Sequence, residues 1–138
     1  MVAKQMERLE TALMTVVWHT ILERFCATSL SLQKVDIDLI CAMKLYDSLV
    51  TFLLQLRDRF DEKEEKAKSC VEIQEYKEAT KHTKRRQRFF DECSTPDTEI
   101  TARDEFRVDV FYRIVHCLVA EIRKRMCAYS AVHKLFGF

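Results

Sequence analysis

The sequence predicts an all-α fold: a bundle of three long helices, with a basic linker between the second and the third. Three observations carry that expectation. The 138 residues include one glycine and one proline, Gly137 and Pro96, so the usual residues of tight turns, bulges and hairpins are nearly missing. Apolar residues recur at three- and four-residue spacing through three separate stretches. An apolar share of 48% and a charged share of 33% suit a folded helical protein with a solvated face rather than a disordered chain. The length fits one helical domain, residues 1–138, able to bury about two-thirds of its unfolded surface. Residues 81–100 are expected to form a flexible basic and polar linker inside it.

The first helix is expected from Lys4 to Cys26. Met6, Leu9, Leu13, Val17, Ile21 and Phe25 fall on one helical face. Trp18 and Leu22 widen it, so the helix should bury much of its circumference. The serine-rich stretch Ala27 to Gln33 reads as its exit. Lys4 and Arg8 ahead of the apolar run Thr11 to Leu22 imitate a signal peptide, but His19 and Thr20 interrupt the run and charge resumes at Glu23.

The second helix has the most regular pattern. Val35, Leu39, Ala42, Tyr46, Leu49, Leu53, Leu56 and Phe60 alternate four and three residues apart, which is a coiled-coil-like packing seam. Asp36 is the expected N-cap, its carboxylate free to accept an orphan N–H of the first turn. Beyond Phe60 the Glu/Lys run Asp61 to Lys68 should continue as a solvated helix. Glu62–Lys66 and Glu64–Lys68 pairs one turn apart would support it, fraying toward Lys81.

The third helix opens at Thr101, where Thr101-Ala102-Arg103-Asp104 has a capping-box pattern. Val108, Phe111, Val115, Leu118, Ile122, Tyr129, Val132 and Phe136 hold the core-facing rhythm, broken by Arg125. Phe106, Val110, Ile114 and Met126 add a flanking stripe. A helix with two apolar stripes asks for partners on both sides.

Between the second and third helices, Lys81, Lys84, Arg85, Arg86 and Arg88 form the one strong charge cluster of a chain whose net charge is +1. Such a run suits a solvated linker, a nuclear import signal or phosphate contact. Phe89 and Phe90 behind it offer stacking faces or packing groups.

Signatures of chemistry are sparse. There is no glycine-rich loop to cradle phosphate. The six cysteines, Cys26, Cys41, Cys70, Cys93, Cys117 and Cys127, include no Cys-x-x-Cys pair and are expected to be reduced, as inside the cell. His19, His82, His116 and His133 lack metal-ligand spacing. Asp36 and Asp38 face different sides of a helix. No stretch approaches the ~20 apolar residues of a membrane span. The expectations are therefore no enzyme activity, no catalytic or metal-binding residue, no cofactor, no small-molecule substrate and no membrane partner.

A resemblance supplies more. Val17-Trp18-His19-Thr20-Ile21-Leu22, then Ser31 through Leu39 (Leu32-Gln33, Asp36, Asp38-Leu39), are similar to successive helical steps of hAT-superfamily transposase-like proteins, among them zinc-finger MYM-type and TTF-type domain proteins. Leu53 to Phe60 resembles the end of that family's long second helix. The basic run ending in Phe89-Phe90-Asp91-Glu92 resembles its connector. Phe106 to Tyr112, Arg125-Met126 and Leu135-Phe136-Gly137-Phe138 resemble its third helix and Phe-Gly-Phe motif. The resemblance covers only the helical region that the family inserts into an RNase H-like catalytic domain. The family's catalytic acids lie on flanking sequence, so no catalytic residue carries over. His116 stands where relatives often carry an acidic residue.

The resemblance thus implies a catalytically inactive, transposase-derived helical fragment, nuclear, with weak nucleic-acid or protein contacts. The rival expectation is a standalone interaction module, forming a homodimer through the seam (Leu39, Tyr46, Leu49, Leu53, Leu56, Phe60) or through the spare stripe of the third helix.

Overall fold

A computed structural model of the chain describes residues 8–72, 74–76 and 101–136. These form α1 (Leu9–Leu32), α2 (Leu39–Arg57), α3 (Phe60–Lys68), α4 (Ala102–Phe106), a π-helical stretch (Arg107–Tyr112) and α5 (Arg113–Phe136). The last three are one continuous rod, since Arg107 and Arg113 keep right-handed helical backbone at each join. No strand occurs among the described residues. The fold is all-α.

In α1, Leu9, Leu13, Val17 and Ile21 are buried at the four-residue spacing that stacks side chains on one face. The opposite side stays wet. Trp18 and Leu22 are exposed, Leu22 by 58%, which corrects the expectation of a helix buried around most of its circumference. The exit expected at Ala27 is also absent, because α1 runs on to Leu32. Its serines bond to the helix itself instead of breaking it. Ser31 Oγ donates to the Ala27 carbonyl at 3.1 Å, and Gln33 Nε2 donates to Ser29 Oγ at 3.1 Å, a local pairing compatible with helical backbone.

The start of α2 is two residues later than expected. Asp38, in extended backbone, accepts from the Cys41 amide at 2.6 Å and is the N-cap in place of Asp36. Val35 consequently lies outside the helix, fully exposed. At the other end the helix does not run through Phe60. The Asp58 amide bonds the Gln55 carbonyl at 3.2 Å and the Arg59 amide bonds that of Leu56 at 3.0 Å, a tightened turn that separates α2 from α3.

α2 is the shared element, with α1 and α5 both packed on it, while α3 packs on α1. Phe60 meets Phe111 with ring centroids 5.2 Å apart, and Tyr46 meets Tyr129 at 5.5 Å. Rising numbers on one side pair with falling numbers on the other, so α2 and α5 are antiparallel. Leu49, Leu53 and Leu56 of α2, Phe60 of α3, Phe111, and Val115, Val119 and Ile122 of α5 join the α1 residues in one core.

Within the rod the expected rhythm slips. Val108 is exposed and Val119 buried. A π stretch bonds i to i+5 and takes more residues per turn, so Val108 swings off the face that Phe111 occupies. The flanking residues Phe106, Val110, Ile114 and Met126 are half-buried.

By length and composition α2 could cross a membrane, with 19 residues and a mean hydropathy of 1.5. That departs from the expectation that no stretch comes near a span. A core helix passes the same test, and Leu49, Leu53 and Leu56 are used here inside the bundle.

Candidate functional site

The two ends of the bundle differ in chemistry. At the end where α2 passes into α3, a carboxylate is buried inside what the sequence presents as a solvated Glu/Lys run. Glu64 is 3% exposed, and Lys63 and Ala67 are buried beside it, because this face of α3 lies on α1. Arg103 Nε donates to both Glu64 oxygens, at 3.0 and 2.8 Å, and its terminal nitrogen bonds Asp61. The Tyr76 hydroxyl donates to Glu64 Oε1 at 2.7 Å, and Lys68 Nζ stands 3.3 Å from the same oxygen. Arg103 also lies over the Phe60 ring at 5.3 Å, and Tyr76 tilts against Phe106 at 5.7 Å.

Burial pushes the Glu64 carboxyl up, but the hydrogen bonds from Arg103 and Tyr76 outweigh it and hold the group below its ordinary value. Tyr76 is pushed up by burial and by the Glu64 carboxylate it bonds, and Arg103 is pushed up by its bonds to Glu64. Charge-assisted bonds of this kind are the strong ones. The carboxylate is fully engaged and kept ionised. It acts as a strut joining α3, residues 74–76 and α4 rather than as a proton carrier.

The other end, where the α1–α2 corner meets the tip of α5, is open. A cleft of about 390 Å³ lies between the three long helices, lined by Phe25, Leu32, Tyr46, Leu49, Leu118 and Ile122, with Thr28, Ser29, Glu121 and Arg125 at its polar positions. A second hollow of about 300 Å³ shares Tyr46 and Arg125 with it and continues past Ala128 and Tyr129 to Val132. Hydrogen bonding to Tyr46 holds the Tyr129 phenol above its ordinary value. Glu121 is engaged by Lys124 at 2.6 Å, and that bond lowers the carboxyl and raises the amine. Around the same end Leu30, Val35, Ile40, Val132 and Leu135 are exposed, Leu135 by 80%.

The seam residues of α2 lie on its packed side. Leu49, Leu53, Leu56 and Phe60 are buried in this chain's own core with Tyr46 packed against it, and Leu39 is half-buried. Leu49, Leu53, Leu56 and Phe60 are thus already covered by this chain's own helices. The basic cluster Lys81, Lys84, Arg85, Arg86 and Arg88 lies outside the described residues, as does the rest of the linker up to residue 100.

Among the described residues no three His, Cys, Asp or Glu side chains gather as a metal site. Cys26, Cys41, Cys70, Cys117 and Cys127 are exposed free thiols. Cys41 is the best placed of them for reactivity, at a helix N-terminus, yet its hydrogen bond to Asp38 pushes the thiol up and away from the nucleophilic thiolate.

Sequence reasoning missed both ends. Glu64 carries no local sign that Arg103, 39 positions away, would bury it. For the open end there was a sign, the break in the third helix's rhythm at Arg125. No family model, curated protein or solved structure matches the chain.

Proposed function

We propose that this chain is a catalytically inactive, transposase-derived helical fragment that acts by binding, and that its open end binds a second copy of the chain. The transposase origin rests on the ordered sequence resemblance. The observation that carries the binding reading is the apolar collar at the open end. Leu30, Val35 and Ile40 on the α1–α2 corner and Val132 and Leu135 on the α5 tip are each exposed. Exposed apolar groups at one end of the bundle favour a partner surface over water. Because the collar has two separate patches, a two-fold pair can lay each α5 tip on the other copy's α1–α2 corner, which closes the assembly at a dimer. The α2 seam takes no part in it.

Sedimentation equilibrium tests this reading. A reversible dimer, weakened by Leu135→Asp with the helix content unchanged, is the expected result. A second arm of the same reading, nucleic-acid contact through Lys81, Lys84, Arg85, Arg86 and Arg88, is tested by fluorescence anisotropy with duplex DNA. Affinity that falls steeply with salt and disappears when the five become alanine supports it. A chain that stays monomeric and binds no DNA removes both arms.

A further inference from the structure

We propose that the cleft between α1, α2 and α5 binds an aliphatic carboxylate, with the hydrocarbon chain on the apolar floor and the carboxylate on Arg125. This goes beyond the dimer reading and does not depend on it, since the collar residues Leu30, Val35, Ile40 and Leu135 do not line the cleft.

Arg125 occupies a position that should be core. It follows the buried Ile122 by three residues and precedes the half-buried Tyr129 by four, so all three share one face of α5. An apolar side chain at that position would extend the core toward Phe25 and Leu32. With a guanidinium there, the helices enclose a cleft of about 390 Å³, within the range of small-ligand sites.

The floor is apolar, built from Phe25, Leu49, Leu118 and Ile122. No described residue forms a hydrogen bond or ion pair with Arg125, although it lines both this cleft and the adjoining hollow. Glu121, one turn before Arg125 on the wall, feels its charge but is hydrogen-bonded by Lys124. An exposed cation at the edge of an apolar trough suits a ligand with the opposite charge and an apolar body. A guanidinium fork matches a carboxylate through two parallel hydrogen bonds.

Isothermal titration calorimetry of the full chain with decanoate tests the proposal, with decanol and a decyl ammonium salt as controls. The expected result is saturable one-to-one binding of decanoate, about tenfold or more tighter than decanol, and no binding of the cation. Arg125→Gln should abolish the preference for carboxylate over alcohol, and Arg125→Lys should keep part of it. Ser29→Phe, which narrows the cleft from an exposed wall position, should weaken both ligands while circular dichroism stays helical. Equal affinity for decanoate and decanol, or decanoate binding unchanged in Arg125→Gln, would overturn the proposal. So would no saturable binding by a folded, monomeric chain. If decanoate fails to bind while Ser29→Phe dissolves a dimer, the cleft belongs to the second copy and the carboxylate site is refuted.

Discussion

Glu64 concentrates the residue-scale physics of this protein. Its carboxylate is buried, bonded by Arg103 and Tyr76 and approached by Lys68. Removing one member of such a set leaves the others buried without a partner, which costs more than the net worth of the bond. Glu64→Gln is therefore expected to lower unfolding stability by about 1–3 kcal/mol in urea titrations. Tyr76→Phe should lower it by about 1 kcal/mol.

The pH dependence has a definite sign. In the folded chain the Glu64 pKa lies below its ordinary 4.5, so the unfolded chain takes up this proton first. The stability it contributes is complete above 4.5 and is lost as pH falls through the lower, folded value. Urea titrations from neutral to acid pH should show that loss in the wild type and less of it in Glu64→Gln. None of this was legible locally. Glu62 and Glu64 look alike in the Glu/Lys run, and only the contact with Arg103 separates the wet one from the buried one.

At the scale of elements, the core faces were readable and their boundaries were not. Leu9, Leu13, Val17 and Ile21 repeat every four residues and are buried as that repeat implies. The α2 seam from Ala42 to Phe60 likewise lies on the packed side. Leu53→Ala, which empties a fully buried position, should cost about 2–5 kcal/mol, against almost nothing for Val35→Ala in the exposed connection.

Boundaries depended on finer choices. Asp36 and Asp38 are equally good caps by residue type, and the one that meets the Cys41 amide decides the register. The π stretch over Arg107–Tyr112 is another such choice, since its sequence carries no glycine or proline to announce it. It places an extra residue in one turn. Deleting the exposed Val108 should let the rod close as regular α-helix with its downstream face preserved. Deleting the exposed Lys124 should rotate everything after it by about 100° and strip Met126 and Tyr129 from their packing. Thermal melts should show the second deletion as clearly the more destabilising.

At the scale of the whole molecule, the bundle is tied shut at one end and open at the other. Arg103, Glu64 and the Phe60–Phe111 pair close the first, while Leu30, Val35, Ile40, Val132 and Leu135 leave the second apolar and wet. The all-α class was legible because turn-forming residues are so scarce. The open end was legible only as a break in the rhythm at Arg125, because whether an apolar stripe is covered depends on where three helices diverge. Binding through this end is the central claim, and sedimentation equilibrium of the full chain from about 1 to 100 μM, a span that brackets dimers of micromolar Kd, tests it most directly. A concentration-dependent dimer that Leu135→Asp shifts to monomer is the predicted result. A wild-type chain that stays monomeric across the range would contradict it.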